Sequence, residues 1–357
     1  MSTILITGAA GFLGTELVRV FRAEDHTVRA TDLPRADFSA LEALGAECVP
    51  ADLTDPANVG ELARGIDIVI HAAGIFDLSV PEEVLYKINR DVVGIVCDAA
   101  NEAGVKRIVL ISSTSVYGPG QIEDEDAPKN PHNAYARSKW AGEQLGIERC
   151  EQHGIEWAVL RPTLIYGPGS RYAQGNSMAI FALMEWRGVR NMRIASGGPL
   201  GHHVHVHDVA RAAHLAATKP EANRGLFNVA DDHPMPLGDM IRLMGDETGV
   251  NINSPALPWF FTWVFSLFRP VARWVIAREN SKMAHLWTKL CAEQGLVEAF
   301  RPRIDEDWIG WMFVDNTFST TRLKALGFEP VYPDPTVGLR QAAAWYRKQG
   351  WLPQRSA

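Results

Sequence analysis

Cysteine is scarce in this sequence and forms no recognisable pattern. The four cysteines are Cys48, Cys97, Cys150 and Cys291. None of them is paired at Cys-x-x-Cys spacing, which excludes a zinc ribbon and leaves no framework for disulfide bonds. The N-terminus runs directly into the apolar segment Thr3–Thr7, which is too short and wrongly flanked for a signal peptide. We therefore expect a protein of the reducing cytoplasm.

An excess of positive charge is also lacking. The chain has 35 Lys and Arg against 42 Asp and Glu, which gives a net charge of -7. Nucleic-acid binding depends on clustered Lys and Arg, so this balance argues against a nucleic-acid partner. At 46% hydrophobic and 22% charged residues, the composition is that of an ordinary soluble globular protein. We expect small molecules or other proteins as its partners.

Apolar runs long enough to cross a membrane are missing as well. The segment Pro255–Phe268 is strongly apolar and carries no charge, but Arg269, Pro270 and Arg273 interrupt the run directly after it. The run is shorter than the roughly 20 apolar residues that a spanning helix needs. The sequence therefore predicts no membrane span.

The first 160 residues alternate short apolar runs with helix-like stretches. The expected strands are Thr3–Thr7, Thr27–Thr31, Glu47–Pro50, Ile66–His71, Arg107–Ser112 and Glu156–Leu160. The expected helices are Phe12–Ala23, Asn58–Ala63, Glu82–Ala103 and Ala134–His153. Strand–helix–strand units connect parallel neighbours through right-handed crossovers. The sequence therefore predicts an α/β protein with a Rossmann-type, doubly wound parallel sheet.

This rhythm breaks after residue 165, where proline and glycine punctuate the chain. Examples are Gly167-Pro168-Gly169 and Gly197-Gly198-Pro199, and several helices with few strands follow. We expect two parts: residues 1–165 as a dinucleotide-binding domain, and residues 166–357 as a smaller, mostly helical substrate-binding part. Some segments of the second part are expected to return to the main sheet.

A glycine loop follows the first expected strand directly. Glycines at positions 8, 11 and 14 stand between that strand and a helix, which is the context that a dinucleotide-binding loop requires. They allow a tight turn, close approach of the backbone to a pyrophosphate, and tight packing of the helix on the strand; the helix N-terminus then supplies amides to the phosphates. The predicted cofactor-binding residues of the loop are Gly8, Gly11, Phe12, Leu13 and Gly14.

An acidic residue, Asp32, ends the second expected strand, 18 residues after Gly14. A carboxylate there accepts hydrogen bonds from the ribose hydroxyls and repels a 2′-phosphate, so NAD is favoured over NADP, although Arg35 lies close by. Asp52 and Leu53 are expected to meet the adenine. After the fourth strand, small residues allow the backbone to pass close to the cofactor: Ala72, Ala73 and Gly74.

Tyr135 and Lys139 stand four residues apart, so a helix places both on one face. A free phenol with a pKa near 10 is a poor base at neutral pH, but a neighbouring ammonium and a bound nicotinamide cation stabilise the phenolate. Tyr135 is then able to take the proton of an alcohol, and Ser113 to hydrogen-bond the same oxygen. Taken alone, such a pair is equally typical of a helix surface.

Together these features resemble the extended short-chain dehydrogenase/reductase family, over essentially the whole chain. The matching segments are Gly8-x-x-Gly11-x-x-Gly14, Asp52-Leu53, His71-Ala72-Ala73-Gly74, Ser112–Gly118, Tyr135-x-x-x-Lys139, Arg161–Pro168, Val204–Ala210, Gly338-Leu339-Arg340 and Trp345-Tyr346. The resemblance implies Ser113, Tyr135 and Lys139 as the catalytic residues. It also implies Asn89 and Pro162 on the cofactor side, and Thr114, Leu164 and Tyr166 on the substrate side. A homodimer through Glu82–Ala103 and Ala134–His153 is implied as well.

Within that family, two positions disfavour a nucleotide-sugar substrate. Leu164 stands where such enzymes carry an asparagine, and Gly201 where they carry an arginine that clamps the diphosphate. Thr114-Ser115 replaces the threonine and acidic pair of the sugar dehydratases, so dehydration is disfavoured.

A large apolar substrate is the preferred alternative. Members that resemble 3β-hydroxysteroid and sterol-4-carboxylate dehydrogenases carry the Leu160–Gly167 pattern found here, and an apolar insertion that Pro255–Ile276 resembles. That segment is either a core or dimer helix or a lid at a membrane surface, with Trp259, Trp263 and Trp274 at the interface.

The prediction is an NAD-dependent oxidoreductase that acts on a secondary alcohol of a bulky, sterol-like substrate. The alternatives are a nucleotide-sugar 4-epimerase with tightly bound NAD, and a redox-sensing protein that has lost the chemistry.

Four histidines occur close together, at positions 202, 203, 205 and 207. Three of them would share one face of a strand, which raises the question of a metal site. The family motif already accounts for His205, and no thiolate or carboxylate cluster completes a ligand set. We therefore expect no metal.

Overall fold

The computed structural model describes residues 1–77, 80–193, 197–252, 269–304 and 314–355, and the side chains of the helix that starts at Arg269 from Ile276 onward. The helices are α1 (Phe12–Ala23), α2 (Ser39–Ala43), α3 (Pro56–Ala63), α4 (Glu82–Tyr86), α5 (Val92–Ala103), α6 (Ala134–His153), α7 (Gln174–Trp186), α8 (Val206–Thr218), α9 (Leu237–Thr248), α10 (Arg269–Gln294), α11 (Thr321–Ala325) and α12 (Pro335–Lys348). The strands are β1 (Thr3–Thr7), β2 (Thr27–Thr31), β3 (Glu47–Cys48), β4 (Ile68–His71), β5 (Arg107–Ile111), β6 (Gln121–Ile122), β7 (Glu156–Pro162), β8 (Leu164–Tyr166), β9 (Asn191–Met192), β10 (Leu200–Gly201), β11 (His203–His205), β12 (Gly225–Val229), β13 (Met235–Pro236), β14 (Asn251–Ile252) and β15 (Thr317–Phe318).

Seven strands form the central sheet in the order β12-β7-β5-β4-β1-β2-β3. All neighbours in it run parallel. The strands are apolar on both faces because helices cover both sides, and β4, for example, is buried along its whole length. The order reverses direction between β1 and β4, which is where a doubly wound sheet opens a crevice at its carboxyl end. The predicted Rossmann-type fold class is confirmed.

Most expected elements occur close to their predicted bounds, and the differences have local causes. Helices α1 and α6 span the predicted residues. Strand β3 is shorter than predicted because only Glu47 and Cys48 pair with β2. The predicted helix Glu82–Ala103 is divided into α4 and α5 by a π-helical turn at Lys87–Asp91. One additional residue in this turn changes the helical phase, and the apolar periodicity of the sequence does not reveal such a change.

The second half of the chain contributes to the central sheet and also builds a core of its own. Strand β12 pairs with β7, and α8 packs on α1 against the same face of the sheet. Helices α7, α9, α10 and α12 enclose a separate apolar cluster around Trp287, Phe300 and Tyr346. Residues 255–268 of the apolar segment Pro255–Ile276, with Trp259 and Trp263, lie outside the described residues, as does the side chain of Trp274.

None of the helices within the described ranges combines the length and the apolar character that a bilayer-spanning helix needs.

Gly142 of α6 lies against the π-helical turn with no room for a side chain, because a Cβ atom there would overlap the carbonyl oxygen of Asn89. We expect Gly142→Ala to lower the free energy of unfolding by about 2 kcal/mol or more, since rigid backbone has to move. Gly60 is a matched control: it also lies inside a helix, and a Cβ there meets nothing within 4 Å. Gly60→Ala should raise stability by about 0.5–1 kcal/mol. Urea unfolding of both variants tests the pair, and equal effects would contradict this packing.

The carboxyl group of Asp231 is buried, and the backbone N–H of His203 only partly offsets the loss of water around it. Burial, reinforced by nearby Asp334 and Asp232, raises its pKa from 3.8 to about 9. The folded protein therefore holds a proton that the unfolded chain releases, and stability falls as pH rises from about 4 to about 9.

We expect Asp231→Asn to match the wild type near pH 4 and to exceed its stability at pH 8 by at least about 1.4 kcal/mol, the equivalent of one pKa unit. Asp232→Asn is the neighbouring control; it removes a partly exposed ion pair with Lys324 and should cost less than about 1 kcal/mol. Thermal unfolding across this pH range is the measurement. A gain that does not depend on pH would contradict the buried neutral acid.

Candidate active site

The glycine loop is packed so closely that side chains are excluded from it. Gly8 has a φ of +66°, and a Cβ atom there would lie 2.8 Å from the backbone of Ala73. A Cβ atom at Gly14 would overlap the carbonyl oxygen of Gly8, and the Gly11 amide donates to that same oxygen at 3.1 Å. The loop therefore presents bare backbone and the first amides of α1 to the crevice, as a dinucleotide pyrophosphate requires.

Side chains at the ends of the neighbouring strands hold this loop. Asp32 accepts hydrogen bonds from the amides of Ala10 at 3.0 Å and Leu33 at 2.8 Å. The Thr7 hydroxyl accepts from the Ala73 amide at 3.2 Å and lies 2.9 Å from Nδ1 of His71. Burial lowers the pKa of His71 to about 3, so its ring is neutral and shares one hydrogen bond with the Thr7 hydroxyl. Three strand ends are thus joined below the loop.

A cavity of about 750 Å³ extends from this loop across the carboxyl end of the sheet. It contains most of the residues that the sequence analysis assigned to the site. Those that line it are Gly8, Gly11, Phe12, Leu13, Gly14, Asp32, Asp52, Leu53, Ala72, Ala73, Gly74, Ser113, Thr114, Tyr135, Pro162 and Leu164.

Three of the predicted site residues do not line the cavity. Lys139 lies behind its wall and donates from Nζ to the carbonyl of Ile111 at 2.6 Å. Asn89 supports the wall, because its amide accepts from the Ile75 amide at 2.8 Å and donates to the Ser138 hydroxyl at 3.0 Å.

The structure does not bring Tyr166, the third of these residues, into the cavity. Its side chain is fully buried, and Gly338 of α12 packs against the ring so closely that a Cβ atom there would lie 2.7 Å away. The ring therefore belongs to the core between β8 and α12.

The phenol of Tyr135 is hydrogen-bonded to Ser113 at the cavity wall, with the Phe76 ring centroid 4.9 Å from its own. Burial raises the pKa of Tyr135 to about 12, and the bond to Ser113 opposes this only in part. Burial lowers the pKa of Lys139 to about 8, against the attraction of Glu143. Without further positive charge, Tyr135 is therefore a protonated phenol at neutral pH and Lys139 is mostly charged.

A buried ion pair below the site was not found by sequence reasoning. Arg161 of β7 and Glu143 of α6 pair where both side chains are almost fully buried. Arg161 also donates to the Tyr117 hydroxyl at 2.6 Å, which in turn donates to Asn228 of β12 at 2.9 Å. The signal that could have revealed the pair is the charge of Arg161 at the end of an otherwise apolar strand.

The apolar wall of the cavity was also missed, because its residues come from segments that are distant in sequence. Examples are Ile75 and Phe76 after β4, Leu200 of β10, Met235 of β13 and Phe318 of β15. No motif connects these positions. Part of the histidine run gave a signal, since His202 and His203 line the cavity, whereas His205 stacks on Tyr332 at 3.7 Å between ring centroids.

The site fits a nicotinamide dinucleotide. A side chain would fill the glycine cradle, the Asp32 carboxylate stands at the second strand end, and Tyr135 with Ser113 faces the same cavity. A Rossmann-type sheet with this site defines an NAD-binding enzyme of the short-chain dehydrogenase/reductase class. The model of the NAD dependent epimerase/dehydratase family matches residues 4–230, and the chain belongs to this family. Its cofactor is NAD.

Known proteins of several activities are similar to this chain. A 3beta-hydroxysteroid-dehydrogenase/decarboxylase of Arabidopsis thaliana is 24% identical over 92% of this chain and 59% of its own length. A UDP-glucose 4-epimerase of Mycolicibacterium smegmatis is 33% identical over 63% of this chain and 76% of its own length. The chain spans only 54% and 59% of the length of two of the curated relatives that it matches.

Among solved structures, the UDP-glucose 4-epimerase of Thermus thermophilus in complex with NAD has a TM-score of 0.68 at 22% identity. The similarity covers 97% of this chain and 99% of that one. At this identity, the likeness establishes the fold and leaves the substrate open.

The carboxylate of Asp32 predicts the choice between NAD and NADP. We expect Asp32→Asn to reduce the preference for NAD over NADP by roughly tenfold or more, the equivalent of about 1.4 kcal/mol of lost charge repulsion. Asp37→Asn is the matched control. Asp37 is near Asp32 in sequence, but it does not line the cavity, and its carboxylate accepts a hydrogen bond from the Ser39 amide. Dissociation constants of both cofactors measured by calorimetry test this. An unchanged ratio in Asp32→Asn would contradict the role of Asp32.

Proposed function

We propose that this enzyme oxidises, or reversibly reduces, a secondary alcohol on a bulky and mainly apolar substrate of sterol-like size. The observation that carries the proposal is the chemistry of the cavity wall. Beyond the glycine loop, apolar side chains dominate the lining, and among the described residues neither arginine nor lysine lines it. A sugar diphosphate needs cations or a dense set of donors, which such a wall lacks.

Two positions make this contrast specific. Leu164 and Gly201 both line the cavity, and they are the positions at which a nucleotide-sugar enzyme would carry an amide and a guanidinium. Leucine supplies apolar surface, and glycine supplies neither charge nor a donor side chain. A diphosphate would lack charge-assisted hydrogen bonds at these two positions. The wall therefore favours an apolar ring system.

The reaction assigns one task to each of three side chains. When bound, NAD would supply the hydride acceptor and the positive charge of its nicotinamide ring. Tyr135 takes the proton of the substrate hydroxyl at its phenolic oxygen, or returns it in the reductive direction. Ser113 hydrogen-bonds the substrate oxygen and keeps it near Tyr135. Lys139 contributes a positive charge from behind the wall, which favours the phenolate.

Similarity to known proteins supports two activities. The match to the Arabidopsis 3beta-hydroxysteroid-dehydrogenase/decarboxylase extends over 92% of this chain, which agrees with the apolar wall. The match to the mycobacterial UDP-glucose 4-epimerase, at 33% identity, favours nucleotide-sugar epimerisation as the second candidate. An epimerase would retain its reduced cofactor, whereas the proposed enzyme releases NADH with each turnover.

We expect incubation of the protein with NAD and a rigid polycyclic secondary alcohol to release NADH. Tyr135→Phe should lower kcat by about 10²–10⁴-fold, because the proton acceptor is removed. NAD affinity should remain close to that of the wild type, since this change leaves the glycine loop intact. NADH absorbance and calorimetric titration with NAD are the two measurements. Epimerisation of UDP-glucose without release of NADH would reject the proposal in favour of the second candidate.

A further inference from the structure

The side chain of Phe76 connects the catalytic tyrosine to a second tyrosine of the cavity wall. Its ring centroid lies 4.9 Å from that of Tyr135 and 5.6 Å from that of Tyr172, with angles of 80° and 84° between the ring planes. These edge-to-face contacts are an arrangement that aromatic pairs prefer. All three residues line the cavity. The proposed proton transfer uses Tyr135 alone, so the other two rings are available to the substrate.

Phe76 and Tyr172 both leave part of their surface uncovered. Phe76 is half-buried, and Tyr172 is 47% exposed. Apolar ring surface in contact with water is unfavourable, and within a cavity it marks a place where a ligand binds. Ala173, which also lines the cavity, has a φ of +48°. Left-handed backbone in a residue other than glycine costs free energy and is concentrated at ligand sites.

The backbone is fixed on both sides of Phe76. The Ile75 amide donates to Oδ1 of Asn89 at 2.8 Å, and the Ile75 carbonyl accepts from Nδ2 of Asn89 at 3.1 Å. Asp77 forms an ion pair at 3.4 Å with Arg303, which comes from the second half of the chain. The ring of Phe76 is therefore a preformed surface, and binding against it does not require the loop to become ordered first.

Flat aromatic surface beside a catalytic phenol suits a rigid saturated ring. Such a ring covers aromatic carbon with its C–H face and has few rotatable bonds to restrict, whereas an open chain loses conformational freedom on binding. Charged groups would be left without partners by the same carbon surface. We propose that Phe76 and Tyr172 form an aromatic subsite for the ring that bears the reacting hydroxyl, so that the enzyme selects alicyclic over open-chain secondary alcohols. This inference rests on the proposed function for the reacting hydroxyl, whereas the subsite itself is tested by binding.

The test compares two secondary alcohols with the same number of carbon atoms, the fused-ring 2-decalol and the open-chain 2-decanol. Dissociation constants are measured by calorimetry with the full-length Tyr135→Phe variant loaded with NAD. In this background turnover does not interfere, and the ring next to Phe76 is kept. Rigidity alone gives some preference for 2-decalol. The contribution of the aromatic subsite is therefore the change in the ratio of the two dissociation constants when a ring is removed.

Phe76→Leu keeps an apolar side chain without the flat ring. Introduced into that background, it should reduce the preference for 2-decalol about fivefold to tenfold, as the loss of an aromatic contact provides. Tyr172→Leu should also reduce the preference, but less, because more of this side chain is exposed, and Tyr172→Phe should keep most of it. Tyr86→Leu is the matched control and should leave the ratio unchanged, since Tyr86 is a half-buried tyrosine of α4 that does not line the cavity.

Two results would overturn the subsite. One is an unchanged ratio of dissociation constants in both Phe76→Leu and Tyr172→Leu. The other is weaker binding of NAD to Phe76→Leu with an unchanged ratio, which would assign this ring to the nicotinamide. Calorimetric titration of each variant with NAD also verifies that the variant is folded.

Turnover separates this inference from the proposed function. A ratio that falls in Phe76→Leu, without NADH from either alcohol in the presence of Tyr135, leaves the subsite standing and rejects the oxidation. NADH from both alcohols, at KM values that Phe76→Leu raises equally, does the reverse.

Discussion

Three strand ends meet at the glycine loop, where backbone packs directly on backbone. The amide of Ala9 donates to the carbonyl of Thr31 at 3.0 Å, and Gly8 approaches Ala73 so closely that no Cβ atom fits between them. The floor of the cavity is therefore set by main-chain atoms, whose positions the sheet itself determines. Because rigid backbone does not adapt to a ligand, the cofactor is received by a preformed surface, and the cost of ordering a loop on binding is avoided.

A second constraint connects this floor to the catalytic helix. Arg161 and Glu143 are removed from water at a cost of several kcal/mol for each charge. Their mutual attraction and the bonds of Arg161 to Tyr117 and to the Glu125 carbonyl offset that cost. The pair ties α6, which carries Tyr135 and Lys139, to the strand that ends at Pro162. Removal of either partner would leave an uncompensated charge in the core, so the pair strongly favours the packing of α6 on this strand.

The parts of the site that the sequence predicted are those with a local cause. The glycine loop, Asp32 and the Tyr135–Lys139 helix are encoded by spacing within one strand–loop–helix unit or one helical turn, and periodicity is sufficient to find them. The sequence did not reveal that Tyr166 lies outside the cavity, because strand position alone does not tell which partner covers a side chain. The partner of Tyr166 is Gly338, 172 residues later in the sequence. The apolar wall is non-local in the same way.

The electrostatic expectation for Tyr135 was incomplete for a related reason. Spacing on a helix predicts that Lys139 is near, but the pKa of a phenol depends on how much water remains around it, and burial exceeds the other influences here. Folding sets that degree of burial through elements from across the chain. Likewise, the sequence placed four histidines together, and only the tertiary structure separates them: His202 and His203 line the cavity, His205 is buried against Tyr332, and His207 is partly exposed beside Glu16.

The π-helical turn at Lys87–Asp91 changes which side of the helix faces the core, so that α4 and α5 present different faces to it. Each residue of a helix turns the following part by about 100°, so the extra residue allows Glu82 to meet Arg137 in front of the turn while Val96 enters the core behind it. Asn89 lies at the junction and is aimed at Ile75 by that phase. The number of residues in this segment therefore determines the rotation of α5 relative to α4 about the helix axis. A homologue one residue shorter here would keep the same sheet and the same helices, yet hold the cavity wall from a different direction.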